Sequence, residues 1–170
     1  ICAIAVDNSL SGCSSTGSGF SNPTSIAFNS AGTIAYVSNM MAGTVSYCSV
    51  SAIDGTLSSC ADSGLAPINS PAGVVLNSAG TYAYVSGGDS GGVVVKCSVN
   101  VDGSFSSCAD VPMLGITYTV GAMMSFGATE DIFYVPDLGS SSIFNCPVEV
   151  DGTFGTCTVN THSGTYPSMV

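Results

Sequence analysis

The stretch CSVNVDGSFSSC, Cys97 to Cys108, decides the fold because the chain writes it four times. Its sisters are CAIAVDNSLSGC (Cys2 to Cys13), CSVSAIDGTLSSC (Cys48 to Cys60) and CPVEVDGTFGTC (Cys146 to Cys157), with successive first cysteines 46 to 49 residues apart. A period of that size marks a repeat architecture. In three copies ten residues separate the two cysteines, and the central pairs are Asp7-Asn8, Asp102-Gly103 and Asp151-Gly152. Asp-Gly and Asp-Asn suit a two-residue turn with φ > 0, so each copy reads as a hairpin folded at its midpoint. That register sets Cys97 opposite Cys108, Ser98 opposite Ser107 and Val101 opposite Ser104. Facing positions lie near disulfide reach, so the expected pairs are Cys2-Cys13, Cys48-Cys60, Cys97-Cys108 and Cys146-Cys157. The second copy has one more residue and predicts a three-residue turn around Asp54-Gly55 with a bulge. Zinc is excluded by spacing, since there is no C-x-x-C and one histidine, His162.

Working outward, each hairpin is preceded by two more strands. PTSIAFNSAGTIAYVSN (residues 23–39) and PAGVVLNSAGTYAYVSG (71–87) each hold an apolar run, an Asn-Ser-Ala-Gly turn and a second run ending in Tyr-Val. The third copy, GAMMSFGATEDIFYVPD (121–137), replaces the turn with Gly127-Ala128-Thr129-Glu130. Each unit is thus strands A, B, C and D joined by short turns, with no helical periodicity. Four-stranded antiparallel units of this length are β-propeller blades. The expected fold is all-β, a β-propeller-type repeat array of about 3.5 blades in one domain over 1–170. It divides into a half blade (1–18), three blades (19–66, 67–114, 115–162) and the start of the next (163–170).

The repeats resemble the YVTN-type repeats of lactonase-like β-propellers, most closely the secreted bacterial versions with one cysteine pair per blade. The residues that carry the resemblance are Pro23, Ile26, Phe28, Gly32, Tyr36, Val37 and Asn39, with Pro71, Val74, Leu76, Gly80, Tyr84 and Val85 as counterparts. It covers essentially the whole chain. It implies complete rings that usually have seven blades, and enzymatic members that open sugar lactones with polar and charged residues at the central channel. No such residue set maps onto this sequence.

Composition narrows the function classes. Charged residues are 7% of the chain, against roughly 25% in ordinary soluble proteins, and one basic residue (Lys96) stands against eleven acids. A net charge of −10 without a basic patch excludes nucleic-acid and anionic-lipid partners. No apolar run reaches the roughly 18 residues of a membrane-spanning helix. Eight regularly paired cysteines imply an oxidising compartment, extracellular or cell-surface, with periplasm as the other option. The chain begins inside a repeat, as a processed or partial product would.

The chemistry candidates are few. Gly88-Asp89-Ser90-Gly91-Gly92 matches the nucleophile motif of chymotrypsin-like proteases, but the neighbours of His162 do not supply the matching base, and a Gly-rich loop is the simpler reading. Asp7, Asp54, Asp102 and Asp151 occupy equivalent turns and are expected to serve the turns. Lys96 reads as an outward-facing solubilising charge, Met40-Met41 and Met123-Met124 as packing, and Tyr36, Tyr84 and Tyr134 as blade packing. The B–C acids Asp89 and Asp137, with Asn39, are the candidate ligand-binding residues. No catalytic set, cofactor or metal is called for. The expected function is therefore a non-enzymatic extracellular structural or interaction protein, self-associating through open blade edges and completing its broken blade with another chain, as a dimeric ring or a filament. The alternative is a lactonase-like hydrolase or small-ligand binder at the channel of a complete seven-bladed propeller.

Overall fold

Asn29 and Asn77 show how the chain reverses at the A–B turns. The Asn29 Oδ1 accepts the N–H groups of Thr33 and Ile34 at 2.8 and 3.1 Å, and Gly32 N–H closes the turn on the Asn29 carbonyl at 2.9 Å. Asn77 repeats this with Thr81, Tyr82 and Gly80. Gly32 and Gly80 both hold φ of 66°, a left-handed conformation that glycine adopts without a Cβ penalty. In the third unit Glu130 takes that place with φ of 57°.

A computed structural model describes residues 1–65, 68–87, 92–112, 124–137 and 139–161. The first hairpin is β1 (Ala3–Ile4) and β2 (Leu10–Ser11). Three four-stranded sheets follow: β3 (Pro23–Phe28), β4 (Ile34–Asn39), β5 (Thr44–Val50) and β6 (Leu57–Asp62); β7 (Gly73–Leu76), β8 (Tyr82–Gly87), β9 (Val93–Val99) and β10 (Phe105–Val111); β11 (Ser125–Phe126), β12 (Ile132–Asp137), β13 (Ser142–Pro147) and β14 (Thr158–Thr161). Each sheet is an antiparallel meander in chain order, as the repeats predict. Antiparallel order has a geometric consequence. The A–B and C–D turns gather on one face of the array, and the B–C loops and D–A connections on the other.

The sheets pack face to face, beginning at their A strands. Thr24 Oγ1 donates to the Pro71 carbonyl at 3.3 Å, and Ser38 Oγ to the Ala72 carbonyl at 3.4 Å. Between the first two sheets lies a core of Tyr36, Val45, Leu65, Ile68, Val74, Ala83, Val85, Val95, Cys97 and Phe105. Between the second and third lies another, of Tyr84, Val94, Met124, Phe133, Val135, Phe144 and Cys146. Strand B supplies each seam's tyrosine because its residues are buried on both sides, as a strand between neighbouring sheets must be. Tyr134 is the exception, 37% exposed where Tyr36 and Tyr84 are at most 1% exposed.

All four expected disulfides are present, with Cα–Cα separations of 4.0 to 4.1 Å. Closing loops of this size stabilises by about 2–3 kcal/mol each. The register is as expected at the cysteines and different at the tips. Ser98 faces Ser106, not Ser107, while Lys96 faces Ala109 and Val95 faces Asp110. Asn100 N–H donates to the Ser104 carbonyl at 2.8 Å, so the turn holds three residues, 101–103, with Gly103 at φ of 90°. One extra residue is absorbed just before the second cysteine, where Gly12, Ser59 and Ser107 hold φ of 58°, 51° and 50°. That is a β-bulge, which restores facing positions at the disulfide. In the second unit Ser51 N–H pairs with the Thr56 carbonyl at 2.9 Å, which makes the turn four residues long, where three were expected.

Candidate functional site

The acids among the described residues divide by face: those of the hairpin tips lie on one, and Asp62, Asp110 and Asp137 at strand ends lie on the other. On the turn face each aspartate braces its own hairpin. Asp102 Oδ1 accepts the Ser104 N–H at 3.0 Å and its hydroxyl at 2.6 Å, and Asp151 Oδ1 does the same with Thr153 at 2.9 and 2.6 Å. Asp54 holds Thr56 in this way, and Asp7 the Ser9 N–H. Side-chain hydrogen bonds, from Ser9, Ser51, Ser104 and Thr153 respectively, hold all four carboxyls below the usual aspartate range. The turn role expected for this set is what their bonding serves.

Lys96 departs from expectation. Its side chain is half-buried, its Nζ donates to the Asp151 carbonyl at 2.6 Å, and it lies 4.5 Å from the Tyr82 ring centroid. It ties the second sheet to the third sheet's turn.

On the loop face, Asn39 and Asp137 occupy one repeat position, the last residue of strand B, and are 1% and 0% exposed. Gly87 holds that place in the second sheet, so Asp89 is not its counterpart; Asp89 lies outside the described residues, as do residues 88–91 of the Gly-rich motif, Met123, His162 and the 163–170 segment. Asn39 Oδ1 accepts the Ser21 N–H at 3.2 Å while its Nδ2 donates to Ser46 Oγ at 2.9 Å and, more loosely, to Thr44 Oγ1 at 3.4 Å. Asp137 Oδ2 accepts the Ser140 N–H at 3.2 Å and the Ser140 hydroxyl at 2.6 Å. Both side chains shape their B–C loops. They stand in different sheets and do not converge on each other among the described residues.

An open space adjoins the loop that follows Asn39. A cleft of about 580 Å³ lies between the B–C loop of the first sheet (Met40–Thr44) and the connection to the second (Asp62, Leu65 and Ile68–Ser70). Leu65 and Ile68 are each 7% exposed and give it an apolar floor, while Met41 is 78% exposed. Asp62 keeps one carboxylate oxygen on the Gly64 N–H at 2.8 Å. Ser63 fixes the connection by donating its N–H to the Val45 carbonyl and accepting the Phe105 N–H, at 2.8 and 2.6 Å. The volume falls in the range of small-molecule sites. The C–D hairpin already sets Asp62 beside Ser46, but no signal in the sequence brings Leu65 and Ile68–Ser70 back over residues 40–44, which comes through packing. Among the described residues no group of three or more His, Cys, Asp or Glu is placed to hold a metal ion.

No family model and no curated protein matches the sequence. Solved structures do. A protein from Lactobacillus plantarum aligns with a TM-score of 0.75 at 14% identity, over 96% of this chain and 49% of its own. A Bacteroides fragilis protein assigned as a 6-phosphogluconolactonase aligns at 0.66 and 18%, over 90% of this chain and 41% of its own. The periplasmic gluconolactonase of Pseudomonas aeruginosa aligns at 0.62 and 18%, over 86% and 41%. The chain spans half or less of the length of these structures, and at such identities the likeness shows the fold. It also corrects one expectation. Arrays built like this one stand in proteins named as lactonases, which are enzymes, so a non-enzymatic structural protein that completes its blade with another chain is not the reading the fold favours.

Proposed function

We propose that this chain contributes about half of a lactonase-like β-propeller that hydrolyses, or binds, a small lactone on its loop face. The likeness to lactonase-named propellers supports it, and so does the YVTN-type repeat pattern. The observation that carries it is the asymmetry of the two faces. The turn face spends its aspartates on hairpins, whereas the loop face has an open cleft and the acids Asp62, Asp110 and Asp137 at strand ends.

Opening a lactone adds water across an ester C–O bond. It needs a base for the water proton and donors for the oxyanion that develops. The loop face offers carboxylates for the first role and amide and hydroxyl groups for the second. Further blades complete the channel by packing on the two open faces. Ile26 and Phe28, about half exposed at 51% and 50%, mark one of these, and Tyr134 the other. The four disulfides suit an oxidising compartment, extracellular or periplasmic.

The test is lactone hydrolysis followed in a pH-stat, with and without divalent metal, on the chain in its complete ring. Asp62→Asn keeps an acceptor for the Gly64 N–H and removes the charge from the cleft; it should lower turnover at least tenfold with little change in Tm. Absence of lactone turnover and of lactone binding in the intact ring would remove the proposal.

A further inference from the structure

We infer that the cleft between the first two sheets is the seat of the ligand, and that it takes an uncharged lactone in preference to a phosphorylated one. The inference rests on the hydrolase or binder reading and narrows its substrate class. Two independent observations carry it.

The first is the shape and chemistry of the cleft. Its volume of about 580 Å³ holds a single sugar-sized ring with some solvent. Leu65 and Ile68 offer an apolar floor to the C–H face of such a ring, and the Met41 side chain stands exposed beside it. Asp62 and Asn69 line it with groups able to accept hydrogen bonds from ring hydroxyls. The two walls approach closely at Gly43: a Cβ there, at φ of 69°, would lie 3.2 Å from the Ile68 carbonyl oxygen. A flat polyhydroxylated ring matches this arrangement.

The second is where positive charge sits. A phosphoryl group is bound by Arg, Lys or grouped backbone N–H donors. The chain has one basic side chain, Lys96, and it is committed on the opposite face, to the Asp151 carbonyl at 2.6 Å and the Tyr82 ring. Among the described residues the charged one lining the cleft is Asp62, and the chain as a whole carries −10. A phosphate dianion brought there meets like charge, and this chain's one cation is engaged elsewhere, which disfavours it.

The experiment is an amide NMR titration of the 170-residue chain with a six-membered sugar lactam, which cannot open, and separately with its 6-phosphate. The expected result is movement of the Gly43, Gly64 and Asn69 amides by the uncharged lactam, with half-saturation at least tenfold lower than for the phosphate. Added salt should narrow that ratio, since screening weakens repulsion. Asp62→Asn should narrow it at least threefold, and Asp62→Lys should reverse it. Equal or tighter binding of the phosphate overturns the substrate class. Shifts confined to other parts of the chain, or no shifts with either compound, overturn the assignment of the cleft. Turnover by the intact ring is a separate readout, so lactone hydrolysis with no response in the cleft would sink this inference and leave the proposed function standing.

Discussion

The two seams between sheets use the same parts and finish them differently. In the first, Tyr36 stacks on Phe105 with centroids 5.2 Å apart and planes at 13°; in the second, Tyr84 stacks on Phe154 at 5.4 Å and 12°. Each tyrosine reaches the Asp-Gly turn of the following hairpin. There the likeness stops. Tyr84 donates its hydroxyl to the Gly152 carbonyl at 2.7 Å, whereas the Tyr36 hydroxyl is buried and finds no hydrogen-bond partner among the described residues. The second seam adds Lys96 on the Asp151 carbonyl. It also adds the Glu130 carboxylate on the Ser78 N–H and hydroxyl, at 2.7 and 2.9 Å. The repeat therefore specifies the apolar contact, an aromatic ring over a glycine turn, and each seam adds its own polar stitches. Apolar fit tolerates such variation; a buried hydroxyl does not, because its desolvation costs the same whether or not it is paired.

The largest effect expected separates the two glycines. A Cβ on Gly152 would come within 2.8 Å of both the Tyr82 ring and the Tyr84 hydroxyl, at φ of 77°. A Cβ on Gly103 would meet chiefly the Ile34 Cδ1 at 2.8 Å, the mobile end of a side chain, at φ of 90°. Both alanine variants carry the left-handed backbone penalty of about 1–2 kcal/mol. Gly152→Ala adds overpacking of about 1–3 kcal/mol against two rings. Urea denaturation with the disulfides intact should show Gly152→Ala as the costlier by at least ~1 kcal/mol. Equal costs would mean that the second seam is no tighter than the first.

Next come the hydroxyls themselves. Tyr84→Phe leaves the Gly152 carbonyl without its partner and should cost about 1–2 kcal/mol. Tyr36→Phe removes a buried hydroxyl with no partner among the described residues, and should be neutral or slightly stabilising. The same pair of melts measures both. A Tyr36→Phe loss as large as that of Tyr84→Phe would show that Tyr36 is hydrogen-bonded in solution, and the contrast between the seams would collapse.

These differences mark how far the sequence could be read. The hairpins and their disulfides were legible because a cysteine pair and an Asp-Gly turn are local signals whose spacing fixes the register. The bulges were not. Ser59 and Ser107 look like any strand serine, and only a left-handed φ of about 50° distinguishes them. Asn39 and Asp137 could be seen to recur, but not that Ser46 and Ser140 hold them inside their loops. The cleft was invisible for the same reason: the hairpin sets Asp62 beside Ser46, but only packing brings Leu65 and Ile68–Ser70 over residues 40–44 to enclose it. Tyrosine recurrence predicted packing in both seams, yet nothing in AYVS, common to Tyr36 and Tyr84, tells which hydroxyl is satisfied.

A smaller effect is expected at Glu130, whose left-handed backbone works against its hydrogen bonds to Ser78. Glu130→Ala keeps the strain and loses the bonds, and should cost about 1 kcal/mol. Glu130→Gly loses the bonds but relieves the backbone, and should recover most of that, since glycine is the residue at this place in the other two A–B turns. If Glu130→Gly is no more stable than Glu130→Ala by thermal melting, strain at φ of 57° contributes nothing and the bonds to Ser78 account for the whole difference.

The smallest effect is an alkaline one, and its sign follows from the same seam. Burial, then the nearby Tyr82, Asp151 and Glu130, push the Tyr84 hydroxyl up to about 12. Burial, then Asp102 and Tyr47, also raise Tyr36. A tyrosine in the unfolded chain ionises near 10. Between about pH 10 and 12 the unfolded state therefore sheds a proton that the folded state keeps, and stability falls as pH rises through that window. Below pH 10 both states are protonated and the contribution is fully present. Tyr84→Phe should make the loss shallower than in the parent, although the variant starts from lower stability. Tyrosinate absorbance should show the Tyr84 transition as the missing high-pH step. If the variant loses stability with the same slope as the parent, Tyr84 ionises as freely folded as unfolded. The second seam would then be open to water at the point where its tyrosine meets the turn.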